Sequence, residues 1–167
     1  YLIQSGNEAF LGGEEKTLSI FFSDVADFTT ISEQLTPGML VSHLGDYLGE
    51  YSRVIRETHG TVDKYIGDEI MALFPDSADD AIQCGIAMLH ELEVFGEYLK
   101  LKNMDPIKIG IGVNTGKLML GTVGVKNRMN STVISDEVNI ASRVEKYTKE
   151  TGAPFMITKS TYEQLSS

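Results

Sequence analysis

Residues 61–74 read Thr61-Val62-Asp63-Lys64-Tyr65-Ile66-Gly67-Asp68-Glu69-Ile70-Met71-Ala72-Leu73-Phe74. Two short apolar-rich runs, Thr61–Ile66 and Glu69–Phe74, flank Gly67-Asp68, which predicts a β-hairpin with a tight polar tip. Outward from it, both flanks turn helical. Upstream, Leu40, Val41, Leu44, Leu48, Tyr51, Val54 and Ile55 recur at helical spacing between Pro37, a good first-turn residue, and His59, with Gly60 as the stop. Downstream, residues 76–102 predict a second long amphipathic helix with Ala81, Cys84, Met88, Leu92, Phe95 and Leu99 inward.

Further out, Leu18-Ser19-Ile20-Phe21-Phe22-Ser23 reads as a buried strand that ends in the polar patch Asp24-Val25-Ala26-Asp27. Ile107, Ile109, Ile111 and Val113 alternate as a strand, with Gly116 leading into a partner strand over 118–123. Residues 130–134 suit either strand or loop; a helix is expected from Asp136 to about Lys149, then a short strand from Phe155 and a terminal helix. The order strand, helix, hairpin, helix, strand predicts an α+β fold, a ferredoxin-like βαββαβ core with additional C-terminal strands and helices. Residues 1–16 lack a firm period and are expected to be a linker from an upstream region, with Gly12-Gly13 as a turn, leaving 17–167 as the folded domain.

The chain has 167 residues, enough for one ordinary domain with its own core, and its 42% apolar and 23% charged content are globular values. Fourteen Lys and Arg against 24 Asp and Glu leave a net charge of −10. So acidic a surface repels nucleic-acid backbones and anionic lipid, so no nucleic-acid partner is expected, while a local site for a small phosphate compound stays open. A single cysteine, Cys84, rules out an intrachain disulfide and a thiolate zinc cluster and is expected in the core. The expectation is a cytoplasmic domain of a longer chain, soluble or membrane-anchored. His43, His59 and His90 show no ligand spacing.

Three features bear on chemistry. Asp24 ends a buried strand and Asp68 sits at the hairpin tip; in the expected fold these strands are neighbours, and two close carboxylates suit a hard divalent cation, although Asp is also common in turns. The segment Val25-Ala26-Asp27-Phe28-Thr29 turns from strand towards helix, where free backbone N–H groups can bind phosphate. Asn139 and Arg143 are spaced i, i+4, projecting an amide and a guanidinium from one helix face, which equally describes a surface pair. Taken singly, Lys64 and Thr132 are ordinary strand residues.

Together these residues resemble the class III nucleotidyl cyclases. Phe22-Ser23-Asp24-Val25-Ala26-Asp27-Phe28-Thr29 is similar to the family's F-x-D-I-x-G-F-T, Lys64-Tyr65-Ile66-Gly67-Asp68 to its K-x-x-G-D hairpin, and Val138-Asn139-Ile140-Ala141-Ser142-Arg143 to its V-N-x-A-x-R helix. The resemblance implies that Asp24 and Asp68, with Val25, hold two Mg²⁺ or Mn²⁺ ions; that residues 25–29 meet the phosphates; that Lys64 and Thr132 read the base; and that Asn139 and Arg143 hold the ribose and stabilise the transition state. It also implies a head-to-tail homodimer in which the metal acids come from one subunit and the other four residues from its partner, with an upstream regulatory domain in the parent chain. A donor-only ammonium at Lys64 suits adenine N1, an acceptor, so ATP is the expected substrate and 3′,5′-cyclic AMP the product. Adenylyl members most often carry Asp where this chain has Thr132, and a microbial subgroup carries Thr. Asp27 and Ser135 stand where glycine is usual, and a further lysine common near the family's C-terminus has no counterpart before Ser167. The alternatives are a catalytically silent cyclase-like module that binds nucleotide or dimerises, and a guanylyl cyclase. The hairpin's likeness to the G-G-D-E-F motif of diguanylate cyclases is superficial, because Ile66 replaces the first glycine.

Overall fold

A computed structural model of the chain describes residues 9–101, 103, 107–125, 128–134 and 136–167. The elements run β1 (Ala9–Val25), α1 (Phe28–Glu33), α2 (Pro37–Glu57), β2 (Thr61–Ile66), β3 (Glu69–Phe74), α3 (Ala78–Leu101), β4 (Ile109–Val125), β5 (Arg128–Ile134), α4 (Asp136–Thr151), β6 (Phe155–Ile157) and α5 (Lys159–Glu163). Among the described residues the strands form one sheet in the order β2-β3-β1-β4-β5, with β6 parallel to β4 and every other pairing antiparallel. The β2-β3-β1-β4 portion, with α2 and α3 as crossovers, is the expected ferredoxin-like core.

Both faces of the central strands are covered, which explains the unbroken apolar run in β1. Phe21 and Val25 meet Tyr51, Val54 and Ile55 of α2 and Ala81, Cys84 and Met88 of α3 in one buried cluster. Leu18, Ile20 and Phe22 face the other way, onto Met71, Leu118 and Ala141 of α4. Each such side chain contributes about 1.5–3 kcal/mol when fully buried, so a strand packed on both faces is the best-anchored element here. Helix α2 starts as its sequence predicts: Pro37 occupies the first turn, and the Thr36 hydroxyl accepts the Met39 N–H at 3.2 Å. Its apolar stripe is only partly used, however. Tyr51, Val54 and Ile55 are buried, whereas Val41 is 72% exposed.

Two expectations are corrected. Residues 9–16 are not linker but strand: β1 pairs with β4 from Ala9↔Gly124 onward, and Gly12-Gly13 lies within that ladder opposite Thr122 and Gly121. The partner lies a hundred residues downstream, and local periodicity carries no trace of it; residues 1–8 of the expected linker lie outside the described residues. Second, Gly116 does not turn the chain. β4 runs straight through it as one 17-residue strand, and the antiparallel partner of its second half is β5, resolving 130–134 as strand. Gly116 and Gly112 are small for a different reason: α4 lies directly on them. A Cβ at Gly116 would come within 2.6 Å of the Glu137 carboxyl, and one at Gly112 would strike the Glu145 backbone.

Candidate active site

Register places the two acids together. Ser23 pairs with Ile70, so the end of β1 reaches the β2–β3 tip, where Gly67 adopts φ 61° and Asp68 follows. The Val25 N–H donates to Asp68 Oδ2 at 3.0 Å, bringing the Asp68 carboxyl against Asp24. Burial, and then the neighbouring Asp24 carboxylate, push the Asp68 pKa up to about 7, against the pull of the Val25 N–H. Two oxygen-only groups turned on each other in this way form a donor set that fits a hard divalent cation.

Further charges surround the pair. Lys149 Nζ lies 3.5 Å from Asp24 Oδ2. Carboxylate oxygens of Asp24, Glu69 and Glu145 all lie within 4.8 Å of one another. Burial, with Asp24 next in weight, pushes the Glu145 carboxyl up to about 7 although Lys149 and Lys146 oppose it; Glu69 is raised mainly by burial. Glu69, Glu145, Lys146 and Lys149 were not singled out from the sequence. One signal was available: Ala141, Glu145 and Thr148 form the buried stripe of α4, so Glu145 is an acid at an inward position.

The expected phosphate-binding backbone is narrowed. The Val25 N–H is given to Asp68, and the Ala26 N–H to the Lys108 carbonyl at 2.7 Å, leaving Asp27, Phe28 and Thr29 at the start of the six-residue α1. Asp27 takes φ 56°, a left-handed conformation that explains the glycine found there in the resembled motif. Ser135, the other such position, lies outside the described residues.

The remaining candidates do not join the acids within one chain. Asn139 and Arg143 are exposed on α4, while Glu145 on the same helix points inward. At 100° per residue, Arg143 projects about 160° away from Glu145, hence away from Asp24. Lys64 pairs in register with Met71, placing it on the α4 side of the sheet like Asp24, but its side chain is 56% exposed and its Nζ approaches Asp63, at 3.8 Å. Thr132 pairs with Gly121 on β4, whereas Asp24 pairs with Gly110. That separation along β4 is roughly 36 Å of strand at the usual rise per residue. Within one chain the candidate residues therefore stay apart, with Asn139 and Arg143 turned away from the acids.

Residues 13–167 match the family model described as the adenylate and guanylate cyclase catalytic domain. The chain belongs to this family. The cyclase domain is 39% identical over 156 residues to the adenylate cyclase of Anabaena cylindrica, covering 90% of this chain and 31% of that protein. It is 36% identical to the terminal-differentiation-specific adenylate cyclase of Dictyostelium discoideum, covering 91% of this chain and 7% of that protein. It thus spans less than a third of the length of these curated relatives. Among solved structures, the adenylyl cyclase CyaB from P. aeruginosa aligns with a TM-score of 0.81 at 34% identity, over 92% of this chain and 82% of that one. A guanylyl cyclase crystal structure aligns equally well, with a TM-score of 0.82 at 32% identity over 94% and 82% of the two chains. Among the described residues, no helix of the cyclase domain is long and apolar enough to cross a membrane.

Proposed function

We propose that this domain is an adenylyl cyclase that converts ATP to 3′,5′-cyclic AMP and pyrophosphate at sites shared across a head-to-tail homodimer. The observation that carries this reading is the split of its site residues: Asp24 and Asp68 converge, while Asn139 and Arg143 project from the far side of α4. A second copy would bring its α4 and Lys64 to the acids of the first, making two equivalent sites per dimer.

In the reaction the ribose 3′-oxygen bonds to the α-phosphorus, the bond from that phosphorus to the oxygen bridging to the β-phosphate breaks, and the hydroxyl proton is lost. Asp24 and Asp68, with Val25, would hold two Mg²⁺ or Mn²⁺ ions. When bound, these ions supply positive charge that acidifies the hydroxyl and offsets the polyphosphate. Arg143 donates to the α-phosphoryl oxygens as charge builds there, and Asn139 orients the ribose for in-line attack. The Lys64 ammonium donates to adenine N1, and the Thr132 hydroxyl accepts from the N6 amine. Guanine N1 carries a hydrogen and opposes a donor-only group. The likeness to a guanylyl cyclase structure nevertheless makes GTP the substrate to run alongside ATP.

Mixing inactive Asp24→Ala with inactive Arg143→Ala protein tests the proposal. Shared sites predict one intact site per heterodimer and recovered cyclic AMP synthesis; continued inactivity after demonstrated subunit exchange rejects shared sites. No cyclic nucleotide from either ATP or GTP, with Mg²⁺ or Mn²⁺ and a dimeric parent chain, leaves a silent nucleotide-binding module.

A further inference from the structure

Glu145 is fully buried, and neither of its carboxylate oxygens has a hydrogen-bond partner among the described residues. A buried carboxylate without donors is costly, and native structures rarely leave one so. Its surroundings make the problem sharper. Facing it within 4.8 Å are carboxylate oxygens of Asp24 and Glu69, which are acceptor-only when ionised. The Thr148 hydroxyl donates to the backbone carbonyl of Glu145 at 2.6 Å and is spent there. The Lys149 ammonium turns to Asp24. Helix α4 sits hard against the sheet at this point, with Gly112 directly beneath the Glu145 backbone.

The side chain is aimed at one place. Glu145 Oε2 lies 3.0 Å from where a Gly110 Cβ would stand, and Gly110 is the register partner of Asp24. Three carboxylates thus converge on the sheet surface from β1, the β2–β3 hairpin and α4. We propose that Asp24, Glu69 and Glu145 form a binding site for a hard divalent cation that clamps the hairpin to α4. Their oxygens lie within 4.8 Å of one another. That spread matches ligands on a common ion, since metal–oxygen distances up to about 2.6 Å allow oxygens to sit as much as roughly 5.2 Å apart. This site is distinct from the Asp24–Asp68 pair in two of its three ligands, and occupying it displaces the Lys149 ammonium from Asp24. It ties the acid-bearing half-site to the helix that carries Asn139 and Arg143.

The test is a nucleotide-free titration of the whole chain with Mn²⁺, followed by the electron paramagnetic resonance of the free ion. Wild type and Asp68→Asn should each retain a bound ion, while Glu145→Gln and Glu69→Gln weaken it at least tenfold with far-UV circular dichroism unchanged. Should Glu145→Gln fail to fold, Glu69→Gln at the half-exposed hairpin carries the same comparison. Loss of the ion in Asp68→Asn with unchanged affinity in both glutamine variants overturns the site and leaves the cyclase reading standing. Absence of Mn²⁺ uptake by folded wild type up to millimolar concentration also overturns it. Conversely, Mn²⁺ binding with the expected variant pattern but no turnover of ATP or GTP upholds the site and removes the cyclase reading.

Discussion

The Val25 N–H and the Asp68 carboxylate are joined by a 3.0 Å hydrogen bond across 43 residues of sequence. This bond fastens the end of β1 to the hairpin tip and holds Asp68 beside Asp24. The contact therefore keeps two like charges together, an arrangement that costs stability and that the cations of the proposed mechanism would offset.

Replacing Asp68 with Asn should separate these two effects. The amide oxygen still accepts from Val25, and the repulsion with Asp24 disappears. In EDTA the variant should therefore melt at a higher temperature than wild type at pH 8, while cyclic AMP synthesis falls at least about 100-fold, in line with loss of a group acting on transition-state charge. Differential scanning calorimetry and a turnover assay on the same preparation check both.

Arg143 projects into solvent from α4, so its truncation should leave the melting temperature within a degree or two. Removal of one transition-state donor typically costs about 10²–10³ in rate, so Arg143→Ala should lower kcat by that factor with KM little changed. Steady-state kinetics on ATP read the split directly.

Asp68 and Glu145 are both raised to about 7 in the folded chain, above the ordinary carboxylate values that hold when it unfolds. The folded state then binds more protons between those values and about 7, so stability contributed by these groups is full at low pH and is lost as pH rises through 7. Denaturant midpoints in EDTA should fall between pH 5 and pH 8. Millimolar Mn²⁺ should flatten that decline at the alkaline end, because deprotonated carboxylates are the ones that bind cations.

Cys84 is buried between α3 and the sheet, and burial pushes its thiol up to about 12. Thiolate is the reactive form, so alkylation by iodoacetamide at pH 8 should proceed only through unfolding, orders of magnitude slower than with a free thiol. Mass spectrometry with and without denaturant measures the ratio.

Asp27 occupies a left-handed backbone position, φ 56°. Asp27→Gly should preserve or raise stability, because a β-carbon in this region usually costs about 1–2 kcal/mol, whereas Asp27→Val should lower it, because a β-branched side chain fits left-handed backbone worse than Asp does. Chemical denaturation of the two variants provides the comparison.

What the sequence revealed and what it concealed follow from the range of the interactions. The hairpin over 61–74 and the helix start at Pro37 were legible because turn chemistry and proline's first-turn preference act over a few residues. The juxtaposition of Asp24 with Asp68 was legible once the strand order was inferred, since both lie at strand ends. Gly116 misled because a glycine between two apolar runs marks a turn or a close contact equally well, and the contact was with Glu137, remote in sequence. Residues 9–16 misled likewise, their pairing partners lying in 118–124. Glu145 was overlooked because an acid in a helix is ordinarily read as solvated, and only its place on the stripe with Ala141 and Thr148 marks it as inward.

The glycine track on β4 lets α4 ride close against the sheet, with Glu145 beneath it and Arg143 above. In the proposed dimer, the underside of that helix would meet the acids of its own chain while the upper side would serve those of its neighbour. Tilting a rod seated this close would, in that dimer, disturb both proposed reaction centres together.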